Sequence, residues 1–217
     1  MSTFFLCFDD ELKNESKIIE DIHKVTNGEP YQYVINEAEF YDLKLYVDKN
    51  VLIPRLETEE LVDTLIHKYL NSNFSYTIAD IGTGSGCIAL AMKKYLVNAD
   101  IFAIDISNNA VNVAKFNSEK LQLNIKILQG DLLTPLIDNN IKVDVLISNP
   151  PYIKNKNEVD ENVLNYEPHL ALFAENGIDF YERILKDAFK VLHKSAIIAF
   201  EFNYDQKELL ENLIIKY

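Results

Sequence analysis

Hydrophobic positions along the chain change their period twice. Residues 10–27 are polar apart from Ile18, Ile19, Ile22 and Val25, which fall at helical spacing, and Gly28 and Pro30 end the segment. Alternation follows. Phe40, Leu43, Leu45 and Val47, then residues 51–53, flank Asp48-Lys49-Asn50 and predict a β-hairpin with a short polar turn, closed by Pro54. Leu61, Leu65 and Leu70 share one stripe and predict a helix over 58–70. Beyond that, strand-like runs at 77–81, 101–106, 125–128, 143–147 and 196–202 alternate with helix-like segments at 87–96, 108–121 and 178–192. Repeated βα units predict a parallel sheet covered by helices on both faces. One helix-like segment, 205–214, follows the fifth run, which is apolar and would make a poor exposed edge.

A length of 217 residues suits one domain with a small appendage. The formal net charge of −13, from 21 Lys and Arg against 34 Asp and Glu, argues against broad binding to nucleic acid or anionic membrane. Cys7 and Cys87 have no metal-ligand or disulfide spacing and read as reduced thiols, and His23, His67, His169 and His193 show no metal spacing either. The apolar run at 4–8 is too short for a signal segment and no stretch is long enough to span a bilayer, so a cytoplasmic protein is expected.

Candidate chemistry begins at Ala79-Asp80-Ile81-Gly82-Thr83-Gly84-Ser85-Gly86-Cys87, a strand, a glycine turn and a helix start. Glycines at 82, 84 and 86 permit a tight turn and close backbone approach, and the helix start offers free N–H groups. The dinucleotide fingerprint would place Gly or Ala at position 87, so a pyrophosphate ligand fits less well than one carrying a carboxylate and a sulfonium. A turn that merely needs glycine is the structural alternative. The next strand ends at Asp105, 105 − 86 = 19 residues past the last glycine, where a carboxylate can accept from both hydroxyls of a ribose. A helix cap is the alternative for Asp105, although Ser107 can serve that role. Together the loop and Asp105 indicate a nucleoside with an unblocked ribose, and S-adenosylmethionine fits better than NAD.

Asn149-Pro150-Pro151-Tyr152 follows the strand at 143–147. In the common strand order 3-2-1-4-5, that strand neighbours the one feeding the glycine loop, at the point where the winding reverses. The prolines lack N–H groups and have fixed φ, so they form with Asn149 a rigid edge rich in acceptors. Such an edge suits a substrate –NH2 group, with Tyr152 offering a flat face to a planar substrate. Holding both amide hydrogens on acceptors turns the nitrogen lone pair toward an electrophile. A stiffened loop without chemistry is the alternative. Tyr166, Glu167 and His169 form either a lid or loop caps, and Ser85 is not a nucleophile elbow because Thr83 stands where that motif needs glycine.

These residues resemble the class I methyltransferases with an Asn-Pro-Pro-Tyr motif. More closely, Pro54-Arg55-Leu56-Glu57-Thr58-Glu59, the segment 80–90, the segment 149–153, Glu167-Pro168, Ala171-Leu172 and Gly177 resemble the protein-(glutamine-N5) methyltransferases, over roughly 32–206. The resemblance implies an α/β, Rossmann-like class I methyltransferase sheet without its last two strands, preceded by a β-hairpin and a reduced N-terminal helical segment. That segment would be 1–36, and the hairpin with the methyltransferase domain 37–217. It implies that Gly82, Thr83, Gly84, Ser85, Gly86, Asp105 and Asn149 hold S-adenosylmethionine, with Leu132 lining the adenine. Asn149, Pro150, Pro151 and Tyr152 would receive the substrate, with Asn149, Pro150 and Tyr152 as the catalytic group. The implied substrate is the glutamine of the Gly-Gly-Gln motif in class I peptide-chain release factors, with no membrane partner, no direct nucleic-acid binding and no metal. Leu56 replaces the family's usual proline and Asn36 its usual glycine. Two other functions compete: methylation of an exocyclic amine of adenine or guanine, and a truncated, non-catalytic S-adenosylmethionine-binding fragment.

Overall fold

The computed structural model describes residues 15–217. It begins with a helix over 15–26 (α1), whose Ile18, Ile19 and Ile22 are exposed, and a short helix α2 (Tyr31–Ile35). Positions 10–14 of the expected helix, Cys7 and the apolar run at 4–8 lie outside the described residues.

The hairpin pairs β1 (Ala38–Phe40) with β2 (Leu43–Leu45), so its turn is Tyr41-Asp42 rather than the expected Asp48-Lys49-Asn50. Both turn residues have positive φ, 43° and 60°, as a two-residue turn with the twist of the flanking strands requires. Side chains from the following helices hold it there. The Tyr41 N–H donates to Glu59 at 3.0 Å, Lys94 Nζ donates to the Asp42 carbonyl at 2.9 Å, and the Tyr95 hydroxyl donates to the Asp42 carboxylate at 2.8 Å. Val47, Val51 and Ile53 are buried without pairing as strand. With Tyr33 they pack against Ala110 and Val113.

After α3 (Leu56–Thr64) the helix widens over Leu65–Tyr69, where the Leu70 N–H reaches back five residues to the Leu65 carbonyl at 2.9 Å. The main sheet and its connections then run β3 (Thr77–Ile81), α4 (Cys87–Tyr95), β4 (Asp100–Asp105), α5 (Asn108–Leu121), β5 (Lys126–Gln129), α6 (Thr134–Asp138) and β6 (Val143–Ser148). They continue through α7 (Glu161–Tyr166), α8 (His169–Leu172), α9 (Asp179–Ala188), β7 (Leu192–Phe200) and α10 (Lys207–Lys216). All five sheet strands are parallel, in the order β5-β4-β3-β6-β7, which is the order 3-2-1-4-5 expected from the sequence.

Side-chain alternation along the strands separates two cores. Ile78, Ile101, Ala103, Val145 and Ile147 meet α3, α4 and the hairpin residues Phe40, Leu43 and Leu45. Ala79, Ile81, Phe102, Ile104 and Leu146 meet Leu133, Leu136 and Ile184 on the opposite face. Each fully buried aliphatic side chain contributes about 1.5–3 kcal/mol. Because both faces are covered, β3 and β6 read as near-continuous apolar runs, and their carboxyl ends emerge side by side.

Candidate active site

A cleft of about 440 Å³ lies over the carboxyl ends of the strands, where the winding reverses between β3 and β6. Gly82 and Gly84 after β3, Asp105 at the end of β4, Asp131 and Leu132 after β5, and Asn149, Pro150 and Pro151 after β6 all line it. The loop residues Lys49, Asn50, Val51 and Leu52 form one wall, and Phe180 and Arg183 of α9 another.

The glycines divide between two tasks. Gly82, Gly84 and Gly86 all have positive φ. A Cβ at Gly82 or Gly84 would meet no protein atom within 4 Å, so bare backbone faces open space there. At Gly86 a Cβ would sit 3.2 Å from Leu90 and 3.4 Å from Ala114, so this glycine lets α4 pack against α5. The Gly82 and Thr83 N–H groups both donate to the Ile104 carbonyl, at 2.8 and 2.9 Å, which ties the turn to β4. Thr83 and Ser85 are buried and do not line the cleft.

Two carboxylates control the loop. Asp105 accepts from the Gly84 N–H and the Ser107 N–H, both at 2.9 Å, and its edge faces the cleft. The cap of α5 is Ser107, whose hydroxyl accepts from the Ala110 N–H, so Asp105 is not committed as the cap. Burial raises the Asp105 carboxyl above its ordinary range despite these donors. Asp80, which sequence reasoning gave no role, is buried behind the turn. It accepts from the Thr83 hydroxyl at 2.6 Å and the Ala89 N–H at 3.3 Å, while its Oδ1 has no partner among the described residues. Burial pushes its carboxyl up to about 7.

At the end of β6, Asn149 donates its Nδ2 to the Thr58 hydroxyl oxygen at 3.1 Å, and Thr58 donates to Glu201 at 2.6 Å. The side-chain oxygen of Asn149 accepts no hydrogen bond from the described residues. Tyr152 is half-buried, with its hydroxyl near Glu201, Arg55 and Glu57. Its ring packs with Tyr181, Leu210 and Leu213 and does not line the cleft. Its carbonyl accepts from the buried Gln206 side chain at 2.9 Å. Thr58, Glu201 and Gln206 are site-shaping residues that sequence reasoning did not assign. Their partners lie 91, 143 and 54 residues away in the chain, too far for spacing to reveal. Of the suggested lid residues, Glu167 is buried and joins Arg55 at 2.6 Å, while His169 packs edge-on to Phe173.

Residues 58–169 match the family model of the methyltransferase small domain. The release factor glutamine methyltransferase of Staphylococcus aureus is 43% identical over 197 residues, covering 89% of this chain and 70% of that protein. The one from Flavobacterium psychrophilum is 44% identical over 195 residues, covering 87% and 68%. The chain belongs to the release factor glutamine methyltransferases. Solved structures share the fold at lower identity. A methyltransferase from Pyrococcus furiosus aligns with a TM-score of 0.61 at 17% identity over 94% of this chain and 86% of that one. The N-terminal domain of human METTL16 in complex with SAH aligns with a TM-score of 0.56 at 24% identity over 81% and 67%.

Both departures from this family's usual residues have local explanations. Asn36 ends α2 in the left-handed region, with φ 53°, a conformation asparagine tolerates nearly as glycine does, and its Nδ2 donates to the Val47 carbonyl at 3.1 Å. Leu56 is the first residue of α3, where proline is favoured but not required, and it is 75% exposed.

Proposed function

We propose that the chain transfers the methyl group of S-adenosylmethionine to the side-chain amide nitrogen of the glutamine in the Gly-Gly-Gln motif of peptide-chain release factors. The observation that carries this reading is the acceptor edge of Asn149, Pro150 and Pro151 on the same cleft as Gly82, Gly84 and Asp105. The cofactor fits the residues present. Open space stands where Gly82 and Gly84 lack a Cβ, and the Asp105 carboxylate faces the cleft as an acceptor for ribose hydroxyls. When bound, S-adenosylmethionine supplies an electrophilic methyl carbon on a sulfonium.

The chain's own residues would do the rest. Asn149 Oδ1 and the carbonyls beside the prolines accept the two amide hydrogens, which orients the nitrogen lone pair and offsets positive charge as the bond forms. The stiff Pro150-Pro151 backbone holds those acceptors in place before the substrate arrives. Leu132, held at φ 47°, offers an apolar wall for adenine. Tyr152 would serve by anchoring the motif in the α9–α10 cluster rather than by facing the substrate. Among the described residues no helix is long and apolar enough to cross a membrane. The cytoplasm, where peptide release occurs, is the proposed setting, and the net charge of −13 weighs against direct nucleic-acid binding.

The test is methyl transfer from labelled S-adenosylmethionine to a purified release factor, beside a Gln→Ala change in its Gly-Gly-Gln loop. Label is expected on the first and absent from the second. Asn149→Ala is expected to keep cofactor binding and lose transfer. Label that persists without the glutamine, or that goes to RNA or DNA in preference, would overturn the assignment.

A further inference from the structure

Asn149 is useful only if its amide points the right way, and the two ends of an amide are nearly identical in shape. The structure contains a device that distinguishes them. Thr58, in the first turn of α3, is 2% exposed. Its hydroxyl has one proton, which it donates to Glu201 Oε2 at 2.6 Å. The Thr58 oxygen is then left as an acceptor, and Asn149 Nδ2 donates to it at 3.1 Å. A flipped amide would bring Oδ1 against an oxygen whose proton is already committed. The polarity of the whole chain is set by its last member, because an ionised carboxylate only accepts.

Glu201 is built in rather than incidental. It follows β7 directly, its N–H donates to the Ser148 carbonyl at 3.1 Å, and its carbonyl accepts from the Tyr181 hydroxyl at 2.7 Å. Ser148 is the residue before Asn149, so the same backbone contact that continues the β6–β7 pairing aligns the carboxylate behind the motif. Burial raises the Glu201 carboxyl, and the hydrogen bond from Thr58 pulls it back toward ionisation, with a smaller contribution in the same direction from the nearby Asn149 amide, whose own hydrogen bond goes to Thr58. The other charged or titratable groups around it are Glu57, which raises it further, Arg55, which lowers it, and the Tyr152 and Tyr181 hydroxyls and the Cys87 thiol, each raised mainly by burial and further by the Glu201 charge.

We infer that Glu201 is a positioning residue for methyl transfer: acting through Thr58, it locks the Asn149 amide with its oxygen toward the cleft and stands as a negative charge behind it. The inference rests on the proposed reaction. In that reaction the amide nitrogen donates its lone pair to the methyl carbon as the carbon–sulfur pair leaves on sulfur. The nitrogen becomes positive until it releases a proton to solvent. A carboxylate behind its acceptor is worth more at that moment than in the ground state, so the effect belongs in kcat rather than in substrate binding.

The test is steady-state methyl transfer to purified release factor by the wild type, Glu201→Gln, Thr58→Val, Thr58→Ser and the Glu201→Gln/Thr58→Val double variant. Glu201→Gln is expected to lower kcat by roughly tenfold, less than loss of a direct donor to the transition state, with KM for S-adenosylmethionine unchanged. Its acid limb in the kcat–pH profile should shift or vanish, since the titrating group is gone. Thr58→Val should lose as much, Thr58→Ser should recover most of it, and the double variant should be no worse than Thr58→Val alone. Thermal melts with S-adenosylmethionine check that each variant folds and binds cofactor. An active wild type whose kcat and pH profile are unaltered by Glu201→Gln, or an additive double variant, would overturn this inference alone. A wild type inactive on release factor would overturn the substrate reading and this inference with it.

Discussion

Gln206 donates its side-chain Nε2 to the Tyr152 carbonyl at 2.9 Å and, more weakly, to the Gly177 carbonyl at 3.3 Å. One buried amide therefore pins the end of the Asn-Pro-Pro-Tyr motif to the turn that leads into α10. Gln206→Glu removes the donor and sets an ionised carboxylate against two carbonyl oxygens, which should cost about 3–5 kcal/mol of stability, as for other uncompensated buried charges. Gln206→Ala leaves the carbonyls unpaired without adding charge and should cost about 1–3 kcal/mol. Denaturant titrations measure both. In the surviving Ala variant kcat should fall more than cofactor affinity, because the loosened element carries Asn149 and not the glycine turn.

Gly84 and Gly86 differ by two positions and should respond differently to the same substitution. Both have positive φ, so an added Cβ brings backbone strain of about 1–2 kcal/mol in either case. At Gly84 the Cβ projects into open space on the cleft, so Gly84→Ala should weaken cofactor binding while costing little beyond the strain. At Gly86 the Cβ meets Leu90 and Ala114 at 3.2 and 3.4 Å, so Gly86→Ala adds overpacking of about 1–3 kcal/mol. Calorimetric titration with S-adenosylmethionine beside thermal melts separates the two outcomes.

Arg55 and Glu167 join the segment before α3 to the polar stretch after the motif. The guanidinium donates to Glu167 at 2.6 Å, and the same carboxylate accepts from the Ile53 N–H at 3.1 Å. The Glu167 side chain is 1% exposed and that of Arg55 33%, so the two partners are not equivalent. Arg55→Ala strands a buried carboxylate and should cost about 3–5 kcal/mol. Glu167→Gln leaves Arg55 able to reach water and keeps an acceptor for Ile53, so about 1–3 kcal/mol is expected. Equilibrium unfolding of both variants checks the order; a larger loss for Glu167→Gln would contradict the asymmetry.

Much of the fold was legible because the central strands β3, β4 and β6 are buried on both faces and their apolar runs have sharp ends. β3 and α5 occupy the expected 77–81 and 108–121, and Ser107 caps α5 as its position suggested. The hairpin turn was misplaced because Asp48-Lys49-Asn50 carries better turn chemistry than Tyr41-Asp42. The true turn is stabilised by Glu59, Lys94 and Tyr95, none of them local. In the site, Gly82, Gly84, Asp105 and Asn149 announced themselves by spacing, and the structure brings them to one cleft. Thr83 and Ser85 stood in the same glycine motif but turn inward, and Tyr152, half-buried, packs against Tyr181, Leu210 and Leu213. Glu201 carried no signal, and Thr58, though part of the 54–59 motif, suggested no role, because their meaning lies in a hydrogen bond across 143 residues.

Asp80 makes the stability of the glycine turn depend on pH in a direction opposite to a typical salt-bridged carboxylate. Burial raises its folded pKa from 3.8 to about 7. Between those values the folded chain holds a proton that the unfolded chain has released, so stability falls as pH rises and levels off above about 7. Asp80→Asn lacks this titration. The difference in unfolding free energy between wild type and Asp80→Asn should therefore shrink in favour of the variant by on the order of 2–4 kcal/mol between about pH 4 and 8. Asparagine keeps a carbonyl acceptor for the Thr83 hydroxyl and the Ala89 N–H, the two donors Asp80 now serves, so the turn should hold its shape. Urea titrations at four or five pH values read the slope directly. A difference that is flat across that range, or that grows in favour of the wild type at high pH, would show that Asp80 is ionised in the folded protein and held by partners strong enough to overcome its burial.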